Sequence, residues 1–142
     1  MVGKYTFAMI KPDAVESGKW GLIINDIIAA GFTILGAKMK RMSLTEAKAF
    51  YAVHSERGFF CELVDFMSSG PSILLALEKT DAVQSWRDTI GATDPAEAKS
   101  GTIRAKYAEN KGRNAVHGSD SDENAQKEIA FFFSEAELIL NR

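Results

Sequence analysis

The 142-residue sequence predicts an α+β domain built on a four-stranded antiparallel sheet. Short apolar runs of strand length alternate along the chain with stretches whose apolar residues recur at helical spacing. These segments come in the order strand, helix, strand, strand, helix, strand, with further helical stretches between them. That order is the split β-α-β arrangement of ferredoxin-like βαββαβ domains, and it predicts helices on one face of the sheet.

The first strand, first helix and second strand are predicted from the N-terminal third of the chain. Residues Lys4 to Ile10 form an apolar run that ends at Lys11-Pro12, where proline disfavours further pairing, so Lys11 lies at a strand end. Apolar residues at helical spacing predict a helix from Gly21 to Ala30. An alternating pattern from Thr33 to Met42 predicts the second strand, with one buried face. The residues expected on that buried face are Leu35, Ala37 and Met39.

The middle of the chain predicts two more helices and the third strand. Ser43 and Glu46 have the spacing of a capping box, so a second helix begins there and carries Tyr51. Another helical stretch runs from Phe60 to Met67. After a Ser-Gly-Pro turn, the aliphatic run from Ser72 to Glu78 predicts the third strand.

The last part of the chain predicts a helix, a long irregular segment, a short strand and a final helix. Trp86 lies in an apolar stripe at helical spacing, which predicts a helix there. Arg87 lies beside this stripe, so its side chain should point along the rim of the buried face. Residues Gly91 to Gly112 form a long excursion with short helical pieces, and loops of that length are usually functional. Ala115 to His117 predicts the fourth strand. The stripe of the last helix consists of Ala125, Ile129, Phe132 and Phe133.

Composition is that of an ordinary globular protein, with 46% hydrophobic and 25% charged residues, so we expect one domain over residues 1–142. A formal net charge of −2 gives no global attraction to a polyanion, and no nucleic-acid partner is expected. The apolar stretches are too short to cross a bilayer. The single cysteine, Cys61, cannot form an internal disulfide, and no leader of the signal-peptide type is visible, so we expect a cytoplasmic protein.

The segment from Asn114 to Asp120 is the most informative about chemistry. It puts His117 at a strand end, next to a glycine and shortly before a helix, which leaves the imidazole accessible. Neutral imidazole is nucleophilic near pH 7 and can attack phosphorus to form a phosphoramidate. An isolated histidine is more often occupied by a local hydrogen bond, so the functional interpretation depends on the neighbours of His117.

Cationic side chains are the neighbours that phosphoryl transfer requires, because the moving group needs positioning and charge neutralisation. Lys11, Arg87 and Arg104 are the candidates, since each lies at the end of an element or in the long excursion. Each of them could equally be a solvated surface cation. No spacing rule brings the three together.

Two other side chains have both a structural and a functional interpretation. Glu128 borders the buried stripe at Ile129 and is either an exposed helix carboxylate or the acceptor that orients His117. Phe59 either packs in the core or provides a ring on which a nucleobase stacks. The sequence leaves both alternatives open.

Five segments, in the expected order, resemble the nucleoside diphosphate kinase family, and the resemblance extends from Tyr5 to the last helix. Asn114–Asp120 (NAVHGSD) looks like the complete active-site signature of that family, and Thr6–Val15 (TFAMIKPDAV) resembles its opening strand and turn. The other three segments are Phe66–Pro71 (FMSSGP), Ile90–Pro95 (IGATDP) and Gly101–Arg104 (GTIR).

The resemblance implies a ping-pong enzyme with His117 as the phosphorylated residue. A nucleoside triphosphate, typically ATP, donates its γ-phosphate and leaves as the diphosphate, and a second nucleoside diphosphate takes the phosphate from the protein. In this family the phosphate is carried on Nδ1 of the histidine. Stacking of the base on a ring accepts any base, so low base specificity is expected.

The resemblance also implies roles for particular residues. Glu128 and Ser119 resemble the pair that holds the histidine. Lys11 looks like the residue that touches both the phosphate and the sugar, and Tyr51 like a hydroxyl beside the transferred group. The residues similar to the family's other nucleotide contacts are Arg87, Thr93 and Arg104 for phosphate, Asn114 for ribose and Phe59 for the base.

Magnesium and a homo-oligomer are the further implications of the resemblance. Mg²⁺ is expected to arrive on the nucleotide's phosphates, without a direct protein ligand and with water between it and carboxylates such as Asp120. Family members are commonly tetramers or hexamers and occasionally dimers, and closed symmetry is expected. The sequence departs from the common family pattern at Gly58, often a proline, and at Lys106, often an acidic residue.

Two other functions share some of these sequence features. The same strand and helix order also builds RNA-recognition domains, but the segment Ser72–Glu78 is aliphatic and lacks their aromatic motif. A histidine-linked phosphotransfer protein with protein acceptors would retain the phosphorylated His117. An assay of acceptors separates it from a nucleotide enzyme.

Overall fold

The computed structural model describes residues 3–139, so the first two and last three residues of the predicted domain lie outside the described residues. Its sheet has the strand order β2-β3-β1-β4, and each neighbouring pair is antiparallel. The strands are β1 (Tyr5–Ile10), β2 (Thr33–Lys40), β3 (Ser72–Glu78) and β4 (Val116–Gly118). This arrangement confirms the predicted fold class.

Within residues 3–139 the chain also forms eight α-helices and one 3₁₀ turn, Ala52–His54. The helices are α1 (Pro12–Glu16), α2 (Trp20–Ala29), α3 (Leu44–Phe50), α4 (Phe60–Met67), α5 (Ala82–Ile90), α6 (Ile103–Tyr107), α7 (Asp122–Phe132) and α8 (Glu135–Ile139). None of these helices combines the length and the apolar character that a membrane span requires.

The two helices of the βαββαβ unit, α2 and α5, pack on the sheet face that carries Ala8 and Ile10. The opposite face carries Phe7 and Met9 and is covered too, by α3, α4 and α8 together with the end of α7, so the prediction of helices on one face only is wrong. The aliphatic run of β3 explains this second layer, because a strand without a polar face is stable only when both sides are covered. An RNA-recognition surface needs an open sheet face, and here both faces are packed.

The predicted burial of β2 is wrong beyond Leu35. Leu35 is buried, but Ala37 and Met39 are exposed. The pairing of β2 with β3 shifts register between Ile34 and Gly36, so Leu35 is an extra residue and the side chains after it change faces. The strand also ends at Lys40, two residues before the predicted Met42.

Two other segments differ from the prediction for identifiable reasons. Helix α1 was not predicted, although proline at its first position, Pro12, is a helix-start signal. Strand β4 begins at Val116 and not at Ala115, because Ala115 has a left-handed φ of 73°. The capping box of Ser43 is present, but the helix that it starts ends at Phe50, so Tyr51 is the residue that caps it.

Candidate active site

The imidazole of His117 is fixed by packing on β4 and is still accessible. His117 pairs with Met9 of β1, and the indole N–H of Trp86 donates a hydrogen bond to its carbonyl oxygen at 3.1 Å. Its side chain is 20% exposed, so a ligand can reach it. Three aromatic rings, with centroids 5.6 to 6.3 Å from the imidazole, surround it: Phe7, Phe50 and Tyr51.

The two ring nitrogens of His117 have different environments. Nε2 lies 2.8 Å from Oε1 of Glu128, and the hydroxyl of the buried Ser119 donates to the same oxygen at 2.8 Å. A carboxylate can only accept hydrogen bonds, so this contact puts the proton on Nε2 and leaves the lone pair on Nδ1. Residues 3–139 make no hydrogen bond to Nδ1. Nδ1 is therefore the nitrogen available to a ligand.

Tyr51 presents a neutral hydroxyl on one side of the imidazole. Its ring is nearly perpendicular to that of His117, at 87°. Burial, with a further contribution from the negative charge of Glu128, raises the pKa of the Tyr51 hydroxyl above its ordinary value. The group therefore stays protonated at neutral pH and can donate a hydrogen bond.

A cleft of about 700 Å³ next to His117 contains two of the predicted cations. It is lined by Arg87, at the end of α5, and by Thr93, Arg104 and Gly118. Burial, together with the charge of Arg87, lowers the pKa of Arg104 to about 10, so the Arg104 guanidinium is still charged at neutral pH. Two like charges in one cleft repel each other, and an anion bound there would relieve that repulsion.

Arg104 also connects the cleft to the sheet. It donates hydrogen bonds to the carbonyl oxygens of Gly91, at 3.0 Å, and Val116, at 2.9 Å. Its Nε is buried and has no partner among the described residues. Within residues 3–139 the guanidinium group is therefore held in place by the two carbonyl oxygens alone.

A second cleft, also of about 700 Å³, adjoins the first at Thr93, which lines both. It contains Lys11 and Phe59, whose ring is 48% exposed, so Phe59 is not a core residue. The ammonium group of Lys11 donates to Oδ1 of Asn114 at 2.8 Å, and the amide of Asn114 lies 3.4 Å from the carbonyl oxygen of Thr93. The two clefts thus place the predicted cations and the aromatic ring on either side of Thr93, and hydrogen bonds to Lys11 and Thr93 connect Asn114 to them.

Lys11 is buried in this site. Burial lowers the pKa of its ammonium group to about 8, against an opposing effect of Asp13 and with a smaller lowering by Arg104. The lysine is therefore mostly charged at neutral pH and loses its proton in mildly alkaline solution.

Asp120 lies in a groove that shares Arg87 with the first cleft. A hydrogen bond of 2.6 Å from the Asn124 amide, with smaller contributions from Ser121 and Arg87, lowers the pKa of the Asp120 carboxyl. It is therefore an ionised group at the edge of the site. Among residues 3–139 no three or more His, Cys, Asp or Glu side chains form a cluster that could hold a metal ion.

Three residues in contact with this site were not identified from the sequence. Asp13 accepts a hydrogen bond from the backbone of Ala115, Phe50 contacts the imidazole, and Trp86 holds the His117 carbonyl oxygen. The position of Asp13 immediately after the Lys-Pro pair was a usable signal for its proximity. Phe50 and Trp86 carry no such signal, because a core aromatic looks the same in sequence.

Comparison with known proteins gives a consistent result. The family model described as nucleoside diphosphate kinase matches residues 4–138. The nucleoside diphosphate kinase of Chlorobium luteolum is 52% identical over 134 residues, covering 94% of this chain and 96% of that protein. The one from Chlamydia pneumoniae is 54% identical over 134 residues, covering 94% and 93%.

Solved structures give the same result. The chain superposes on the nucleoside diphosphate kinase of Aquifex aeolicus with a TM-score of 0.93 and 47% identity, covering 95% of this chain and 98% of that one. It superposes on the Halobacterium salinarum enzyme, solved in complex with CDP, with a TM-score of 0.90 and 39% identity, covering 94% and 90%.

Proposed function

The chain belongs to the nucleoside diphosphate kinase family, whose members are phosphotransferases, and from this we propose that it works by a ping-pong mechanism through a phosphohistidine at His117. The γ-phosphate of a nucleoside triphosphate, typically ATP, passes first to His117 and then to a nucleoside diphosphate. The observation that carries the proposal is the asymmetry of the imidazole: Glu128 holds Nε2, while Nδ1 has no partner among residues 3–139.

In the first half-reaction, the lone pair of Nδ1 attacks the γ-phosphorus. The N–P bond forms as the bond between phosphorus and the β-phosphate oxygen breaks, and that oxygen leaves with the electron pair as part of the diphosphate. The imidazole becomes positively charged, and the hydrogen bond of Nε2 to Glu128 stabilises this charge. In the second half-reaction, a β-phosphate oxygen of the acceptor attacks phosphorus, the N–P bond breaks and neutral histidine is restored.

The cations of the two clefts neutralise the charge of the phosphates. Arg87 and Arg104 line one cleft, so both guanidinium groups lie beside an anion bound there. The charged Lys11 and the neutral Tyr51 hydroxyl are further donors for the transferring group. These donors are preorganised by the fold, so little reorganisation is needed when the charge moves.

The remaining contacts of the second cleft suit a nucleoside. Asn114 and Thr93 supply polar groups next to Lys11 for a sugar and the adjoining phosphate, and the ring of Phe59 is open for stacking. Stacking is tolerant of base identity, so we propose broad base specificity. The Halobacterium relative was solved in complex with CDP, which supports a nucleotide as the ligand of this chain as well.

We propose that Mg²⁺ enters the site bound to the phosphates of the nucleotide. The ionised Asp120 borders the phosphate cleft and fits a water-mediated contact with a hydrated Mg²⁺. When bound, the ion supplies further charge neutralisation at the phosphates.

We also propose a closed homo-oligomer, a tetramer or hexamer, in the cytoplasm. Exposed apolar side chains on α2 and on the edge strand β2 support association: Leu22, Ile28 and Met39 are each more than half exposed. Sedimentation should give a mass of four or six chains of 15.5 kDa, and a monomer mass at micromolar concentration contradicts the proposal.

The transfer is tested by charging the protein with γ-labelled ATP and Mg²⁺, removing free nucleotide, and adding unlabelled GDP, CDP or UDP separately. Each diphosphate should become labelled, at rates within about one order of magnitude of one another, since stacking tolerates any base. A protein acceptor such as casein should discharge the phosphoenzyme far more slowly. If folded protein takes no label, or passes it to no diphosphate, the proposal is wrong.

A further inference from the structure

Asp13 is a buried carboxylate at the junction of two segments that form the site. It lies in the first turn of α1, two residues after Lys11. Its Oδ2 accepts a hydrogen bond from the backbone N–H of Ala115 at 3.0 Å. One side chain therefore connects the end of β1 with the segment that leads to His117.

The segment at Ala115 needs such a partner, because its backbone is strained. Ala115 is a non-glycine residue with φ 73°, and the N–H of Val116 donates to the carbonyl oxygen of Asn114 at 2.9 Å, which makes Ala115 the centre of a γ-turn. Such a conformation persists only where the surroundings hold it. Here the N–H of Ala115 donates to Asp13, and the carbonyl oxygen of Ala115 accepts a hydrogen bond from the N–H of Lys11 at 2.8 Å.

The turn sets the positions of the functional side chains on either side of it. Asn114, before the turn, reaches the Lys11 ammonium group at 2.8 Å. His117, after the turn, enters β4 opposite Met9. A change in the turn would therefore move the amide and the imidazole relative to each other.

The charge of Asp13 is the second observation. Its other oxygen, Oδ1, is buried and accepts no hydrogen bond from the described residues. A buried carboxylate requires a compensating cation. Asp13 affects the pKa values of two cations, Lys11 and Arg113. Asp13 raises the pKa of Lys11 against the lowering by burial, and it adds to the effect of Glu109 in raising the pKa of Arg113.

The charged groups around Lys11 come from several elements. Asp13 on α1 raises the pKa of Lys11, and Arg104 on α6 lowers it. The cationic groups of Arg113 and Lys11 both lie over the ring of Phe66. The other charged residues that line this cleft are Glu62 and Lys111. Among these groups, Asp13 is the carboxylate whose charge raises the pKa of Lys11.

We propose that Asp13 is a positioning residue with two separable roles: its hydrogen bond holds the Ala115 turn, and its negative charge keeps the Lys11 side chain charged in the site. The kinetic consequences of this inference rest on the proposed phosphotransfer. The protonation of Lys11 does not depend on that function. Nucleotide affinity should fall when Lys11 loses its proton, so the charge of Asp13 extends the active range to higher pH.

Two variants separate the roles. Asp13→Asn removes the charge and retains an oxygen that can accept from Ala115, and Asp13→Ala removes both. Glu16→Gln is the matched control, because Glu16 is on the same helix but 82% exposed, 3.9 Å from Arg113. Circular dichroism checks that each variant is folded.

The first measurement is the NMR titration of the Lys11 ammonium group in nucleotide-free protein, with the signal assigned by its absence in Lys11→Arg. The wild-type midpoint should be about 8. Asp13→Asn should lower it by about one pH unit, and Glu16→Gln should leave it unchanged. An unchanged or higher midpoint in Asp13→Asn overturns the charge role, whether or not the protein is an active kinase.

The second measurement is kcat and kcat/KM for a nucleoside diphosphate from pH 6 to 9.5. The alkaline fall of kcat/KM should move to lower pH in Asp13→Asn, while kcat at pH 6 is retained. Asp13→Ala should lose kcat at every pH, or fail to fold, because the turn is released. Equal kcat at pH 6 in the two variants overturns the role of Asp13 in holding the turn. An inactive wild type overturns the proposed function. The Lys11 titration then still decides whether the charge of Asp13 acts on Lys11.

Discussion

The Oε1 atom of Glu128 accepts two hydrogen bonds, from Nε2 of His117 and from the hydroxyl of Ser119, each of 2.8 Å. The buried serine fixes the carboxylate, and the carboxylate fixes the tautomer and the orientation of the imidazole. The lone pair on Nδ1 is thus set by three side chains together.

The substitution Glu128→Gln should reduce the rate of His117 phosphorylation without unfolding the protein. The amide can still approach Nε2, but it does not fix the tautomer and cannot stabilise a positive imidazole. We expect a loss of roughly 10- to 100-fold, the size found for partners that orient a functional histidine. Rapid-quench measurement of phosphoenzyme formation checks this, with Glu123→Gln, an exposed change on the same helix, as the control. Equal rates in the two variants would show that Glu128 does not orient His117.

Arg87 and Arg104, which line the cleft beside His117, should differ in their effect on stability. Arg104→Ala removes the donors to Gly91 and Val116 and should lower the free energy of unfolding by about 1–3 kcal/mol. Arg87 is exposed, so Arg87→Ala should change that energy by no more than about 0.5 kcal/mol. Both variants should weaken nucleoside diphosphate binding. Urea denaturation and calorimetry give the two quantities, and a purely structural role for Arg104 would appear as lost stability with unchanged affinity.

Gly118, next to His117, should not tolerate a side chain. A Cβ there would lie 2.8 Å from Cδ1 and 3.0 Å from Nε1 of Trp86, the nitrogen that holds the His117 carbonyl oxygen. Gly118→Ala should therefore cost about 1–3 kcal/mol of stability and lower the phosphorylation rate. Gly112→Ala is the control, because its added carbon would meet only an ordinary contact of 3.6 Å. Normal stability of Gly118→Ala in thermal unfolding would mean that the indole shifts freely.

Gly58 lies immediately before Phe59, the ring proposed to stack on the base, at a position where the family resemblance leads us to expect proline. Its N–H donates no backbone hydrogen bond within residues 3–139, and an added Cβ would meet nothing within 4 Å. Gly58→Pro should restrict the segment and tighten nucleotide binding slightly, by roughly twofold, because less freedom is lost on binding. Calorimetry checks this against Gly58→Ala, and an unchanged or weaker affinity of Gly58→Pro rejects it.

Much of the fold could be predicted because its local signals agree with its topology. The aliphatic run of β3 and the capping box of Ser43 are both found where the sequence indicates. The buried face of β2 could not be predicted. A bulge at Leu35 leaves the alternating sequence pattern intact, but the residues after it point to the opposite face of the sheet. Bulges depend on pairing with a second strand, which a local pattern does not contain.

The candidate site was predicted residue by residue but not as an arrangement. Lys11 and Asn114 are in hydrogen-bond contact although 103 positions separate them, because antiparallel pairing of β1 with β4 brings their ends together. The left-handed backbone of Ala115 and its hydrogen bond to Asp13 also join segments that are distant in sequence, so no spacing rule could have indicated that contact. The catalytic and binding roles of these residues stay predictions.

Identification of the phosphorylated atom tests the central claim most directly. The chain contains two histidines, His54 and His117, so each serves as the control for the other. After incubation with γ-labelled ATP and Mg²⁺, wild type and His54→Ala should carry phosphate that is lost in acid and kept in base, on Nδ1 of His117, by peptide mapping and ³¹P NMR. His117→Ala should carry none. Stable label on folded His117→Ala, or label on Nε2 in wild type, would contradict the account.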